Sequence, residues 1–216
     1  MGDIKLVHLL FLLLCLGVFR FIFNQGSADS VGMGSSSSKS APLTAMTKKI
    51  DVNLLMGKHY VIACIPTPFE VGAVNAVENY EWTNEKKQEL KVTFTYHTGG
   101  YDTPQQTMFQ DGYVFNKDTG AEWKVRPRFW GGRIPLPMWL PYIILDAPTA
   151  ENPDMPLIVG YPDRSYLWIM GRKPKMDPAL YDSILKRCET EWGYANMKDL
   201  YVVPNNFDNE DDGAQQ

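Results

Sequence analysis

Few residues in this chain could do chemistry, and they are widely spaced. The stretch Gly160 to Pro174, GYPDRSYLWIMGRKP, joins a polar turn to an apolar-aromatic run that ends near Arg172. As working groups, Asp163 and Arg164 would offer an acid or base beside a cation able to steady developing negative charge. Glu78 stands near Tyr80, a carboxyl and a phenol that could exchange a proton. Cys15, Cys64 and Cys188 form no Cys-x-x-Cys pair, and the chain has 3 histidines, so no zinc, haem or other cofactor is expected. Nucleophile-elbow, phosphate-loop and dinucleotide fingerprints are absent. The sequence therefore favours a binding protein over an enzyme.

Composition narrows the class further. Lys and Arg number 21 against 25 Asp and Glu, a net charge of -4 with no basic run, which argues against a nucleic-acid partner. The 216 residues suit one domain with flanking segments. Residues 1–28 carry the apolar stretch Leu6 to Phe23 followed by Gly26-Ser27-Ala28, the pattern of a cleaved signal peptide or an uncleaved signal-anchor. That predicts the secretory pathway, with a secreted or membrane-associated product and a plastid as the other destination. Residues 29–49, rich in Ser and Gly, read as a linker, residues 50–205 as the folded domain, and residues 206–216 as an acidic flexible tail.

Within the domain, strand-like runs recur every ten to fifteen residues between turn residues. Leu90, Val92, Phe94 and Tyr96 alternate with Lys91, Thr93 and Thr95, the period-two pattern of a strand buried on one face. Eight such runs with short links predict an all-β fold: an eight-stranded antiparallel up-and-down β-barrel. One helix is expected from Asp177 to Trp192, capped by Asp177 with Pro178 at its first position and stopped at Gly193. Its apolar stripe runs through Leu180, Ile184 and Cys188.

Two segments carry a resemblance to a known family. Gly57-Lys58-His59-Tyr60 resembles the first lipocalin motif, and Pro162-Asp163-Arg164-Ser165-Tyr166-Leu167-Trp168-Ile169-Met170-Gly171-Arg172 resembles the last two. Asn79-Tyr80 and Trp123-Lys124-Val125 also match. The pattern is similar to the branch that holds the bacterial outer-membrane lipocalin, apolipoprotein D, and the plant temperature-induced and chloroplast lipocalins. It covers roughly Val52 to Asn205. In the family a Trp plugs the barrel base and an Arg packs over it; here His59 replaces the Trp, and Arg172 matches the Arg, so Gly57, His59 and Arg172 are the expected base. A protonated His59 beside Arg172 would be repulsive, which predicts a base that weakens in acid. Asp163 and Arg164 become structural residues of a turn.

The resemblance, combined with strand parity, implies which side chains meet a ligand. His59, Val61, Ala63 and Ile65 should face inward, and Cys64 outward. Glu78, Tyr80 and Trp82 should face inward on the second strand, Phe94 and Tyr96 on the third, Trp123 on the fifth, and Tyr166, Trp168 and Met170 on the last. An inward Glu78 would bind a polar ligand head or pair with a cation; the alternative is a register that leaves it outside. With the helix lying outside the barrel, an outward Cys64 could form a disulfide with Cys188, worth about 2–4 kcal/mol, the alternative being two unpaired core thiols. The implied function is to bind and carry a small hydrophobic ligand, such as a fatty acid or lysophospholipid, with membrane maintenance or protection from lipid peroxidation as its setting. Two alternatives stand: a lipocalin-type enzyme, whose isomerase examples use a cavity Cys, and a membrane-tethered module that inserts Phe129 to Trp139 into the bilayer. Oligomeric state is left open.

Overall fold

The computed structural model describes residues 41–207, so the expected signal segment and most of the acidic tail lie outside the described residues. Strand β1 spans Gly57–Ile65, β2 Ala73–Asn84, β3 Glu89–Thr98, β4 Gln106–Asn116 and β5 Glu122–Phe129. After these come a two-residue β6 (Ile134–Pro135), then β7 (Leu140–Asp146), β8 (Leu157–Gly160), β9 (Leu167–Gly171) and a short β10 (Tyr201–Val202). The order β1-β2-β3-β4-β5-β7-β8-β9 is antiparallel throughout, and β9 pairs back onto β1. The result is a closed eight-stranded barrel, which leaves no long unpaired edge. β6 is a return pairing at the tip of β5, and β10 pairs with the far end of β1.

The alternation read in the sequence becomes two apolar layers. Leu90, Val92, Phe94 and Tyr96 of β3 face the interior, while Lys91, Thr93 and Thr95 are half-buried on the outside. The outer layer exists because helix α1 (Pro178–Thr190) packs against the barrel wall, burying Ile184 and Cys188 with Ile62, Ile158, Leu167 and Ile169. Asp177 caps the helix by accepting from the Leu180 N–H at 2.9 Å, with Pro178 in the first turn.

One end of the barrel is closed. A 3-10 turn at Val52–Leu55 lies under β1, with Asp51 accepting from the Asn53 N–H at 3.0 Å and with Val52 and Leu55 buried in the interior cluster. The opposite end carries the β1–β2, β3–β4, β5–β7 and β8–β9 connections. Residues 41–49, expected as linker, instead lie along the barrel. The Leu43 N–H donates to Pro162 O at 2.8 Å, the Met46 N–H donates to Ile144 O at 2.9 Å, and Leu43 is buried. The reason is compositional: the Ser-rich run ends at Ser40, and Leu43, Ala45 and Met46 have apolar surface to bury.

The register slips at one decisive place. Val61 pairs with Met170, but Ala63 pairs with Ile169, so a bulge lies between Val61 and Ala63. A bulge shifts the side-chain alternation by one residue. Val61 and Cys64 therefore belong to the interior cluster, whereas Ala63 and Ile65 belong to the outer one. This reverses the sequence expectation for all three residues after the bulge.

Candidate functional site

The barrel interior is crossed by an aromatic stack that rises from its lower half to Trp168. Trp123 and Tyr80 are fully buried and cross edge to face, with ring centroids 5.8 Å apart. Tyr142 stacks on Trp123 at 5.6 Å, and Trp168 on Tyr142 at 6.4 Å. Trp123 satisfies its indole N–H on Gly120 O at 2.8 Å, as a buried indole must. Strand parity sets this face: Tyr80 sits near the bottom of β2 opposite Gly57, and Met170 near the bottom of β9 opposite Val61.

Glu78 lies inside, 4 % exposed, opposite His59 on β1 and Phe94 on β3. Its carboxyl accepts from the Tyr80 hydroxyl, and from the Tyr142 hydroxyl at 3.3 Å; the two hydroxyls are 2.5 Å apart. Among the described residues no cation pairs with it. Burial raises its pKa from 4.5 to about 7, because a charge in this apolar setting loses its water; the Tyr80 hydrogen bond counters part of the rise. The same burial, together with the charge of Glu78, holds both phenols well above their ordinary range.

A second interior carboxyl was not singled out in the sequence. Glu70, in the β1–β2 connection, is buried and accepts at Oε1 from the Trp168 indole N–H at 2.8 Å. Its Oε2 accepts from the Thr67 backbone N–H at 2.8 Å and the Thr67 hydroxyl at 2.6 Å. Burial raises its pKa, opposed by the Thr67 and Trp168 bonds. The loop is thus held down over Trp168 at the upper end of the barrel. A lone acid between Phe69 and Val71 was the available signal, but no periodicity places a loop residue.

Around Trp168 the packing loosens. Trp168, Met108 and Leu140 pack against the interior cluster yet remain half-buried, unlike the layer beneath them. Phe94 and Tyr96 line this half, stacked at 4.7 Å, and Tyr166 stands at its edge, 6.1 Å from the Trp168 ring. Of the nine residues expected to meet a ligand, the structure places Phe94, Tyr96, Tyr166 and Trp168 here, while Glu78, Tyr80, Trp123 and Met170 form the layer beneath. Trp82 is elsewhere. It stands at the closed end, donating its indole N–H to Asn53 Oδ1 at 2.9 Å, and it lines a separate cavity of about 530 Å³ with Lys49, Asp51, Glu85 and Lys117. It sits there because it lies two residues from the end of β2.

The base differs in detail from the expected ring-on-guanidinium contact. Arg172 donates to Leu54 O at 2.5 Å, Met56 O at 2.9 Å and Lys58 O at 2.7 Å, so its guanidinium ties the 3-10 turn to the start of β1. His59 packs edge-on against Tyr80 at 5.3 Å, and its Nε2–H donates to Leu55 O at 3.0 Å. Burial, and then the Arg172 charge, lower its pKa from 6.5 to about 3. Gly57 takes φ +91 beside this point, a conformation open to glycine.

The Asp163–Arg164 turn is structural. Asp163 Oδ1 accepts from the Ser165 N–H at 2.9 Å, and Arg164 donates to Trp192 O at 2.6 Å and Ala41 O at 2.9 Å, binding the helix end and the N-terminal strap to the β8–β9 connection. Of the two alternatives for Cys64 and Cys188, a disulfide or two unpaired core thiols, the structure has the second: both thiols are free and buried. The bulge turns Cys64 inward while Cys188 lies under the helix, so the barrel wall separates them. The inward position removes one argument against a cavity thiol, but burial and the neighbouring Glu70 and Glu78 charges push the Cys64 pKa well above its ordinary value. It is held as the unreactive thiol.

Residues 50–205 match the family model of the lipocalin-like domain. The chain belongs to the lipocalin family. Among solved structures, this lipocalin is similar to insecticyanin from the tobacco hornworm Manduca sexta, with 14% identity, a TM-score of 0.54, and coverage of 76% of this chain and 82% of that one. It is also similar to lobster apocrustacyanin A1, with 10% identity, a TM-score of 0.52, and coverage of 79% and 94%. The cockroach allergen Per a 4 aligns at 13% identity and a TM-score of 0.50, over 79% and 98%. At these identities the likeness is one of fold. No curated protein sequence matches significantly. Lipocalins are in general binding and carrier proteins.

Proposed function

We propose that this lipocalin carries a small apolar ligand in the upper half of its barrel, and that the ligand head is neutral or cationic rather than a free carboxylate. The observation that carries the reading is the pair of buried carboxyls, Glu78 and Glu70, in an interior whose one imidazole is held neutral. Above pH 7 a fatty-acid anion placed there would meet Glu78 as a like charge in a medium of low dielectric. A long-chain alcohol or amine would instead find an acceptor in Glu78 and hydroxyls in Tyr80 and Tyr142, and the choline head of a lysophospholipid a counter-charge in ionised Glu78. Apolar burial against Phe94, Tyr96 and Trp168 would supply most of the affinity, about 25 cal/mol per Å2.

Titrating the protein with oleyl alcohol, oleylamine and oleate at pH 8, followed by tryptophan fluorescence, tests this. The alcohol and amine should bind roughly tenfold or more tightly than oleate. Glu78→Gln should narrow that gap, as should lowering the pH below 7. Oleate binding best at pH 8, with Glu78→Gln making no difference, refutes the head-group assignment. Failure of all three to bind refutes the carrier reading itself.

A further inference from the structure

The exposed large apolar side chains are unevenly distributed between the two ends of the barrel. Val71, Tyr101, Trp130 and Ile134, between 39% and 63% exposed, stand on the β1–β2, β3–β4 and β5–β7 connections at the upper end. Among the described residues, the closed end carries Phe115, 54% exposed and one residue from the end of β4, while its three connections carry none. Trp139, at 39% exposure, continues the upper group down the outer wall, where the Arg126 guanidinium lies 4.4 Å from its ring centroid.

Charge follows the same pattern. From Lys124 to Leu145 the chain holds Lys124, Arg126, Arg128 and Arg133 and no Asp or Glu. The facing acid is Asp111 of β4, 2.9 Å from Arg126 Nε and 2.8 Å from Arg128 Nη1. Arg126, Arg128 and Arg133 against the Asp111 carboxylate leave the β5–β6 side of this end positive, with Asp102 and Asp163 on the neighbouring connections and Lys124 lower on the wall, over the Phe115 ring.

The tip between β5 and β6 is held in an unfavourable shape. Trp130, Gly131 and Gly132 take φ of +51, +63 and +85 in succession. The glycines accept this, but a bulky L residue rarely does. The tip is fixed by the Arg133 N–H donating to Phe129 O at 2.9 Å and by Arg128 Nε–H donating to Gly132 O at 2.6 Å. The fold thus holds an indole in a costly conformation where it is 44% exposed.

We propose that the open end of the barrel is a docking surface for an anionic lipid bilayer, with Trp130 and Ile134 entering the interface and Arg133 and Arg128 meeting the headgroups. Indole rings favour the membrane–water boundary, and Lys or Arg beside it gain from anionic lipid. The apolar groups stand on separate loop tips around a ring. A planar, yielding surface can meet all of them together, whereas a folded partner would need a matching set of pockets. Docking in this pose turns the barrel mouth toward the lipid phase, but it does not depend on what the barrel holds.

Hydrogen–deuterium exchange of the full chain, alone and on vesicles, reads the surface directly and separates it from any contact made by the N-terminal residues. On vesicles of phosphatidylcholine with phosphatidylserine, amides of residues 126–140 and 66–72 should become protected, and far less so on phosphatidylcholine alone. The double variant Trp130→Ala/Arg133→Glu should lose that protection and bind on the order of tenfold more weakly, with an unchanged melt. Vesicle binding without protection of residues 126–140 overturns the proposal, as does equal protection on neutral vesicles. Protection that appears without lipid as protein concentration rises would identify a second copy as the occupant, and would overturn it too.

Discussion

His59 and Glu78 face each other across β1 and β2 and respond to acid in opposite directions. His59 has its pKa lowered from 6.5 to about 3 in the folded state. Between those values the unfolded chain binds the extra proton, so its contribution is intact above pH 6.5 and is lost as pH falls toward 3. Each pH unit in that window is worth about 1.4 kcal/mol, so moving from pH 7.5 to 5 removes about 2 kcal/mol. Glu78 has its pKa raised from 4.5 to about 7. There the folded state binds the proton first, so the same change in pH returns about 2 kcal/mol. The two effects nearly cancel, and the acid weakening expected from His59 alone should be masked in the wild type. Burial also raises the Glu70 pKa, which adds to the acid-stabilised side in every variant; the comparison is therefore between changes on acidification relative to wild type. Thermal melts at pH 7.5 and 5 should show His59→Phe gaining stability in acid relative to wild type. Glu78→Gln should lose it. Each difference should be roughly 4–8 °C in Tm for a chain of this size. The same change in Tm for all three proteins would refute the opposed titrations.

Three other perturbations have definite outcomes. Gly160→Ala places a methyl 2.6 Å from both Leu43 Cδ2 and the Tyr194 hydroxyl; denaturant unfolding should report a loss of about 1–3 kcal/mol, and an unchanged midpoint contradicts the packing of the 41–49 strap. Arg172→Ala strips three backbone carbonyls of their donor; it should cost roughly 2–3 kcal/mol and Arg172→Lys should recover little, since one ammonium cannot span all three, so full rescue by Lys counts against that geometry. Cys64 and Cys188 should resist iodoacetamide in the native protein and both react in guanidinium without a reductant; a mass two units lower that alkylation cannot shift would show a disulfide instead.

Alternation made much of this fold legible in the sequence. β3 contains the alternating run Leu90 to Tyr96, and the Asp177 cap with Pro178 marked α1. Side-chain direction was harder to read. Simple parity carried Ala63 and Ile65 inward and Cys64 outward until the bulge after Val61 reversed them, and a single extra residue leaves no mark on a run as uniformly apolar as Tyr60 to Ile65. The same error suggested the disulfide. Parity also says nothing of height along a strand, so it groups Trp82, which stands at the closed end, with residues of the upper interior. Glu70 was beyond reach for a different reason: its place over Trp168 depends on how a turn folds back, through bonds to Thr67 that no spacing rule encodes. Tyr142 carries no signal of its own in the sequence; its hydroxyl matters because β7 brings it within 2.5 Å of the Tyr80 hydroxyl.

The central claim is that the barrel carries an apolar ligand beside two buried acids. Native mass spectrometry of the protein purified without added lipid, followed by release and identification of whatever is bound, tests it most directly. The expected result is a one-to-one adduct with a long apolar chain and a neutral or cationic head, lost in the Trp168→Arg variant while the fold survives. A protein that stays ligand-free even after incubation with a total lipid extract, or one that returns only free fatty acids, would contradict it.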